Sequence, residues 1–151
     1  MYYDDFFIGQ EFQIDGVLIE KEKMLSFAKE YDSIPIHLDE QYAKNSRFRD
    51  LIAPGLMTFM SVWNKFVESG IFETHLIAGK TFQVEWFFPV YAGDVLSGKV
   101  VITNLITRNP YNGIVEFKLT IFNQNEKLVM DTTTEIIVAR SPASLEPQKT
   151  R

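Results

Sequence analysis

Apolar residues in this chain change from a strand-like pattern near its start to a helical period through its middle, and return to strand-like alternation over its last part. The stretch EFQIDGVLI (11–19) predicts a first strand. From Glu20 to Tyr31 the period changes: Met24, Phe27, Ala28 and Tyr31 fall at i, i+3, i+4 and i+7, which is one face of a helix. Pro35 stops that helix, because the residue before a proline is pushed away from helical angles. Asp39 is placed to cap a short second helix over DEQYAKN (39–45).

The clearest helix runs from Pro54, suited to a first helical position, to Gly70, suited to a C-terminal cap. Leu56, Phe59, Met60, Trp63, Phe66 and Val67 make a broad apolar stripe on it, while Met57 and Val62 lie off the stripe. That distribution predicts burial on more than one side, as for a helix wrapped by a curved sheet. The remainder reads as strands: 82–90, 95–107, 113–122 and 127–139. Alternation is cleanest where Val115, Phe117, Leu119 and Ile121 interleave with Glu116, Lys118 and Thr120. NPYNG (109–113) and NQNE (123–126) are turn sequences joining antiparallel neighbours. The predicted class is α+β, one long helix packed on an antiparallel sheet.

Composition narrows the chemistry more than the fold. A length of 151 residues fits one domain, and only the tail 141–151 (SPASLEPQKTR) has the bias of an unpacked end, which places the domain at about residues 1–140. With no cysteine, disulfides, thiolate metal sites and a cysteine nucleophile are excluded. The net charge of −5 and the absence of a basic run disfavour nucleic acid as a partner. The start lacks the features of a signal peptide, and the apolar stretch 51–63 is too short to span a membrane. A soluble, cytoplasmic protein is the expectation.

Three stretches could carry chemistry. In DSIPIH (32–37), Asp32 and His37 flank a turn stiffened by Pro35, an arrangement open to a general acid–base pair or to a plain turn with a packed histidine. In APGL (53–56), Pro54 has no N–H, and the amides of Gly55 and Leu56 are free at a helix N-terminus, where a developing oxyanion would be stabilised; a plain proline-initiated helix has the same sequence. In FPVYAGD (88–94), Pro89 and Gly93 suggest a bend where a ligand or a partner subunit approaches. His75 reads as a loop residue, and no zinc-protease, phosphate-loop or dinucleotide motif is present. Lys44, Arg47 and Arg49 form the one local basic cluster, suited to an anionic ligand or to a solvated loop.

Taken together, these stretches resemble the MaoC-like dehydratases, the hot-dog-fold family that includes (R)-specific enoyl-CoA hydratases. FAKEYDSIPIHLDEQYA (27–43) resembles the hydratase signature, FRDLIAPGL (48–56) the segment that supplies a backbone oxyanion hole, and VEWFFPVYAGDVL (84–96) a strand with Pro-Val and Gly-Asp. The resemblance implies a single hot-dog domain, its central helix wrapped by a curved antiparallel sheet. It makes Asp32 and His37 the catalytic pair that adds water to a trans-2-enoyl thioester or removes it, with the Gly55 amide polarising the thioester carbonyl. Ile34, Pro54 and Leu56 would meet the substrate, and Lys44, Arg47 and Arg49 would meet the coenzyme A or acyl carrier protein moiety. No cofactor or metal is implied beyond the thioester itself, and two subunits would pair as a homodimer.

Two positions depart from the signature. Ile34 stands where the family has Asn, and Tyr31 where Gly is frequent. Isoleucine cannot form the asparagine's hydrogen bond, so Ile34 is expected to line a pocket adapted to a different acyl group. A non-catalytic acyl-thioester binder and a hot-dog thioesterase are the competing readings. Hydrolysis would free a thiol, which hydration does not.

Overall fold

The computed structural model describes residues 1–145; the end of the expected tail, 146–151, lies outside the described residues. A 3-10 turn (Tyr3–Asp5) leads into strand β1 (Glu11–Leu18), helix α1 (Lys21–Tyr31), the single turn α2 (Pro35–Leu38) and α3 (Glu40–Asn45). Helix α4 (Gly55–Glu68) follows, then strands β2 (Leu76–Trp86), β3 (Val95–Thr107), β4 (Asn112–Phe122) and β5 (Leu128–Ala139), and a 3-10 turn (Pro142–Leu145). The strands form one five-stranded antiparallel sheet in the order β1-β3-β4-β5-β2, with α4 against one face. This is the hot-dog arrangement.

Helix α4 meets the sheet through aromatic side chains. Phe59 packs edge-on to Phe82 of β2, with ring centroids 5.5 Å apart, and Phe66 meets Phe12 of β1 at 6.0 Å. Trp63 stacks parallel to Phe117 of β4 at 6.1 Å, and Phe66 meets the same ring edge-on at 5.6 Å. Burying each phenylalanine contributes roughly 2–3 kcal/mol, and each ring pair adds up to about 1 kcal/mol more. β-Bulges between Ile14 and Val17, Leu76 and Ala78, and Ile102 and Asn104 add the local bend that lets strands wrap a helix.

The core-facing side of α4 is rotated from the stripe read in the sequence. Met57, Thr58, Phe59, Val62 and Phe66 are buried, whereas Leu56, Met60 and Val67 are exposed. On α1, Met24 and Ala28 are fully buried, but Tyr31 is 69% exposed because the helix ends there. Both helix starts also shift by one residue: Pro54 is the N-cap of α4 and Glu20 that of α1. Gly70 takes a left-handed φ of +80° just past α4, as a C-terminal cap requires. Asp39 caps α3 by accepting from the Tyr42 amide at 3.0 Å.

The larger correction concerns β2. It spans 76–86 rather than 82–90: the Phe87 amide still donates to the Val129 carbonyl of β5 at 2.8 Å, and Phe88–Val90 then cross toward the start of α4, where the Val90 carbonyl accepts from Ala53. The early half was hidden by Gly79, which sits beside a bulge where Phe82 covers its open face. His75 immediately precedes the strand, with its ring stacked on Tyr2 at 3.7 Å. In β4, Val115, Phe117, Leu119 and Ile121 are fully buried, as the alternation predicts. Ser141 donates its amide to Asp4 at 2.9 Å and so ties the last strand to the N-terminal turn.

Gly98 of β3 tolerates no side chain. A Cβ there would lie 2.0 Å from the Thr120 carbonyl oxygen, a backbone atom of the neighbouring strand. Gly98→Ala is expected to lower stability by at least about 2 kcal/mol in chemical denaturation, since two paired strands must separate to admit one methyl group.

Candidate active site

Helix α1 stops at Tyr31 because Asp32 leaves helical angles (φ −155°, ψ 68°) and Ser33 turns its hydroxyl back onto the Ala28 and Lys29 carbonyls, each at 3.1 Å. Ile34 is extended, as a residue before proline must be, and Pro35 starts α2 at the position where its fixed φ and missing N–H cost nothing. His37 therefore sits in a single rigid turn, 6% exposed. Its Nδ1 lies 2.6 Å from the Ile52 carbonyl oxygen. A carbonyl only accepts, so Nδ1 carries the proton, and Nε2 is left facing the Asp32 carboxylate at 3.3 Å.

The second wall is built from 50–55. The Ile52 amide donates to the Ile36 carbonyl at 3.3 Å and the Ala53 amide to the Val90 carbonyl at 2.7 Å, which clamps this segment between α2 and the chain leaving β2. Pro54 is buried and contributes no N–H, so α4 begins with amides that need acceptors from outside the helix. Gly55, Leu56 and Met57 find none among the described residues. Three free N–H groups at the positive end of a 14-residue helix favour a partial negative charge nearby.

The third wall is 86–90. Tyr91 anchors it: its hydroxyl donates to the Phe48 carbonyl at 2.9 Å, and its amide donates to Asp94 Oδ2 at 2.9 Å. Asp94 is itself held by Gln124 Nε2 at 2.9 Å, and Gly93 makes the turn with φ +87°. Burial, together with the nearby carboxylates of Asp50 and Asp94, raises the Tyr91 pKa above its ordinary value of about 10.

These walls enclose one cavity of about 600 Å³. It brings together Asp32, His37 and Gly55, with Leu56 and Arg47 at its lining and Phe48, Trp86, Phe87 and Phe88 as aromatic surface. Arg47 stacks over the Phe48 ring with its guanidinium carbon 4.9 Å from the centroid. Ile34, Pro54, Lys44 and Arg49 do not line the cavity. Ile34 caps α2 and is 49% exposed, Pro54 is buried behind Gly55, and Lys44 and Arg49 lie on the outer surface. Thr58 and Trp86–Phe88 do line it and were not singled out as site residues: Trp86–Phe88 fall inside the stretch 84–96, and nothing in the local sequence marks Thr58. Among the described residues no group of three or more metal-ligating side chains is assembled.

The family described as FAS1-like, dehydratase domain region matches residues 6–132, a span that contains all three walls. The chain belongs to this family. It is a MaoC-like hot-dog protein. A MaoC-like dehydratase from Rhodospirillum rubrum is 28% identical and superimposes with a TM-score of 0.84, covering 94% of this chain and 99% of that one. The uncharacterized protein YdeM of Bacillus subtilis (strain 168) is 30% identical over 141 residues, 93% of this chain and 100% of its own length. An (R)-hydratase from A. caviae involved in PHA biosynthesis shares the fold, with a TM-score of 0.69 at 23% identity, over 91% of this chain and 98% of its own.

Tyr91 gives the MaoC-like site a measurable pH dependence. Because its folded pKa is raised, the phenol ionises first in the unfolded chain. Its contribution to stability is complete below pH about 10 and is lost as pH rises through the folded pKa. Tyr91→Phe is expected to cost about 1 kcal/mol at neutral pH, one hydrogen bond, and to flatten the alkaline fall in stability above pH about 10 in denaturant titrations.

Proposed function

We propose that this MaoC-like protein is an (R)-specific enoyl-thioester hydratase and dehydratase, adding water reversibly to a trans-2-enoyl thioester to give a 3-hydroxyacyl thioester. The observation that carries the reading is the meeting of His37 Nε2 and the Asp32 carboxylate, 3.3 Å apart, in one cavity with the unpartnered Gly55 amide. The thioester carbonyl oxygen accepts from the Gly55 N–H, which draws electron density from the conjugated β-carbon. Water held between His37 and Asp32 gives a proton to Nε2 as its oxygen bonds to that carbon. The dyad returns a proton to the α-carbon, and the enolate collapses to the saturated thioester. No electron carrier or metal enters the balance. Arg47 at the cavity, with Lys44 and Arg49 exposed on the same segment, supplies cationic groups for the phosphates of coenzyme A or of an acyl carrier protein.

Two copies pair in this reading. Strand β2 ends the sheet, and it and the segment after it expose Ile77, Phe82, Trp86, Phe87 and Phe88. A long apolar strand edge left in water is an aggregation hazard that a second copy removes. Light scattering of the purified protein is expected to give twice the 17.5 kDa chain mass; a monomer at micromolar concentration would refute the pairing.

The activity is tested by following loss of enoyl-thioester absorbance across straight and branched trans-2-enoyl-CoA substrates. Asp32→Asn and His37→Ala are each expected to lower kcat/KM by at least about 100-fold, the range of a lost general acid or base. Release of free thiol would instead indicate a thioesterase. Binding without turnover in the unaltered protein would indicate a non-catalytic acyl-thioester binder.

A further inference from the structure

A backbone oxyanion donor works only if its peptide plane is held still, and glycine has the freest backbone of any residue. At Gly55 that freedom is removed from the carbonyl side. Thr58 Oγ1 donates to the Gly55 oxygen at 2.6 Å, and Trp86 Nε1 donates to the same oxygen at 3.1 Å. The indole also occupies the place a side chain would take: a Cβ on Gly55 would lie 2.7 Å from Trp86 Cε2. Trp86 is the last residue of the edge strand β2, 43% exposed, and lines the cavity. Its cross-strand pairing with Met130 makes no use of the indole N–H, a group that can only donate.

We propose that Trp86 is a positioning residue for the oxyanion donors. The Gly55 C=O and the Leu56 N–H belong to one planar peptide unit, so an indole anchored on the oxygen fixes the direction of the Leu56 amide and the ψ angle of Gly55. The Gly55 N–H is one rotation, about the φ of Gly55, away from that fixed unit. Strand β2 thereby sets the geometry of a helix terminus that it reaches through a single side chain. It also explains the absence of a side chain at position 55, since the indole needs that space. The catalytic part of the inference rests on the hydratase reading; the anchoring part stands apart from it.

Trp86→Phe keeps a ring against Gly55 and deletes the N–H. With a trans-2-enoyl thioester, kcat is expected to fall about tenfold, the effect of one lost hydrogen bond on transition-state alignment, while KM stays within about twofold. Nitrogen–proton spectra of the unliganded protein test the anchor without turnover. The chain has two tryptophans, and the indole resonance missing from Trp86→Phe is that of Trp86. Its proton should exchange with solvent more slowly than that of free tryptophan, and the Gly55 and Leu56 amide resonances should move in the variant. An indole proton exchanging as in free tryptophan, unmoved Gly55 and Leu56 amides, or a wild-type kcat in Trp86→Phe would each overturn the proposal. If Trp86→Phe fails to fold, Trp63→Phe leaves one indole resonance, and its exchange rate decides. An unaltered protein inactive on every enoyl thioester would overturn the catalytic part together with the hydratase reading, while the spectra still decide the anchor.

Discussion

Helix α4 can bury Phe59, Trp63 and Phe66 only by lying across a sheet that bends to receive it, and that contact determines where everything else in the molecule sits. Rings on the helix meet rings from β1, β2 and β4, so the helix cannot slide along its axis or rotate without losing several contacts together. Its first turn is thereby delivered to the end of the edge strand, beside Trp86. The free amides of that turn come to rest where the chain leaving β2 and the turn 32–37 converge. A helix terminus is a site for negative charge only when something brings the charge to it, and here the core packing performs that placement.

The local architecture of the site is held by backbone groups more than by side chains. His37 is oriented by the Ile52 carbonyl, Ala53 by the Val90 carbonyl, and the Phe48 carbonyl by the Tyr91 hydroxyl. The choice of a carbonyl as the histidine's partner has a chemical consequence. A carbonyl only accepts, so Nδ1 carries the proton and Nε2 is the nitrogen turned toward Asp32. The site thus separates its backbone hydrogen bonds, which set geometry, from the side-chain pair of His37 and Asp32, 3.3 Å apart.

Much of this was legible in the sequence, for reasons that can be traced to residues. Alternation around Phe117 identified β4 because one face of an antiparallel strand is buried and the other wet. Asp39, Pro54 and Gly70 marked helix ends to within a residue, since each acts through its own backbone or cap geometry; Pro35, read as stopping α1, instead starts the short turn α2, and α1 already ends at Tyr31. Asp32, His37 and Gly55 could be brought together by resemblance alone, because no local rule links positions 32 and 55. What stayed hidden depended on tertiary context. The buried side of α4 is chosen by the sheet it meets, so Leu56 and Met60 could not be told from Met57 and Val62 by periodicity. Gly79 disguised the start of β2, and Trp86 became part of the site only through a strand end whose position the pattern misplaced. Ile34, which departs from the family signature, is half-exposed outside the cavity, so its replacement of asparagine removes a polar group without adding a wall to the pocket.

The most direct test of the central claim is a structure of the Asp32→Asn protein with a trans-2-enoyl-CoA bound, the variant slowing turnover enough to hold the substrate. The thioester oxygen is expected within hydrogen-bonding distance of the Gly55 N–H, with the β-carbon facing His37 Nε2. A thioester bound elsewhere, or seated in the cavity with its carbonyl turned away from Gly55, would contradict that claim.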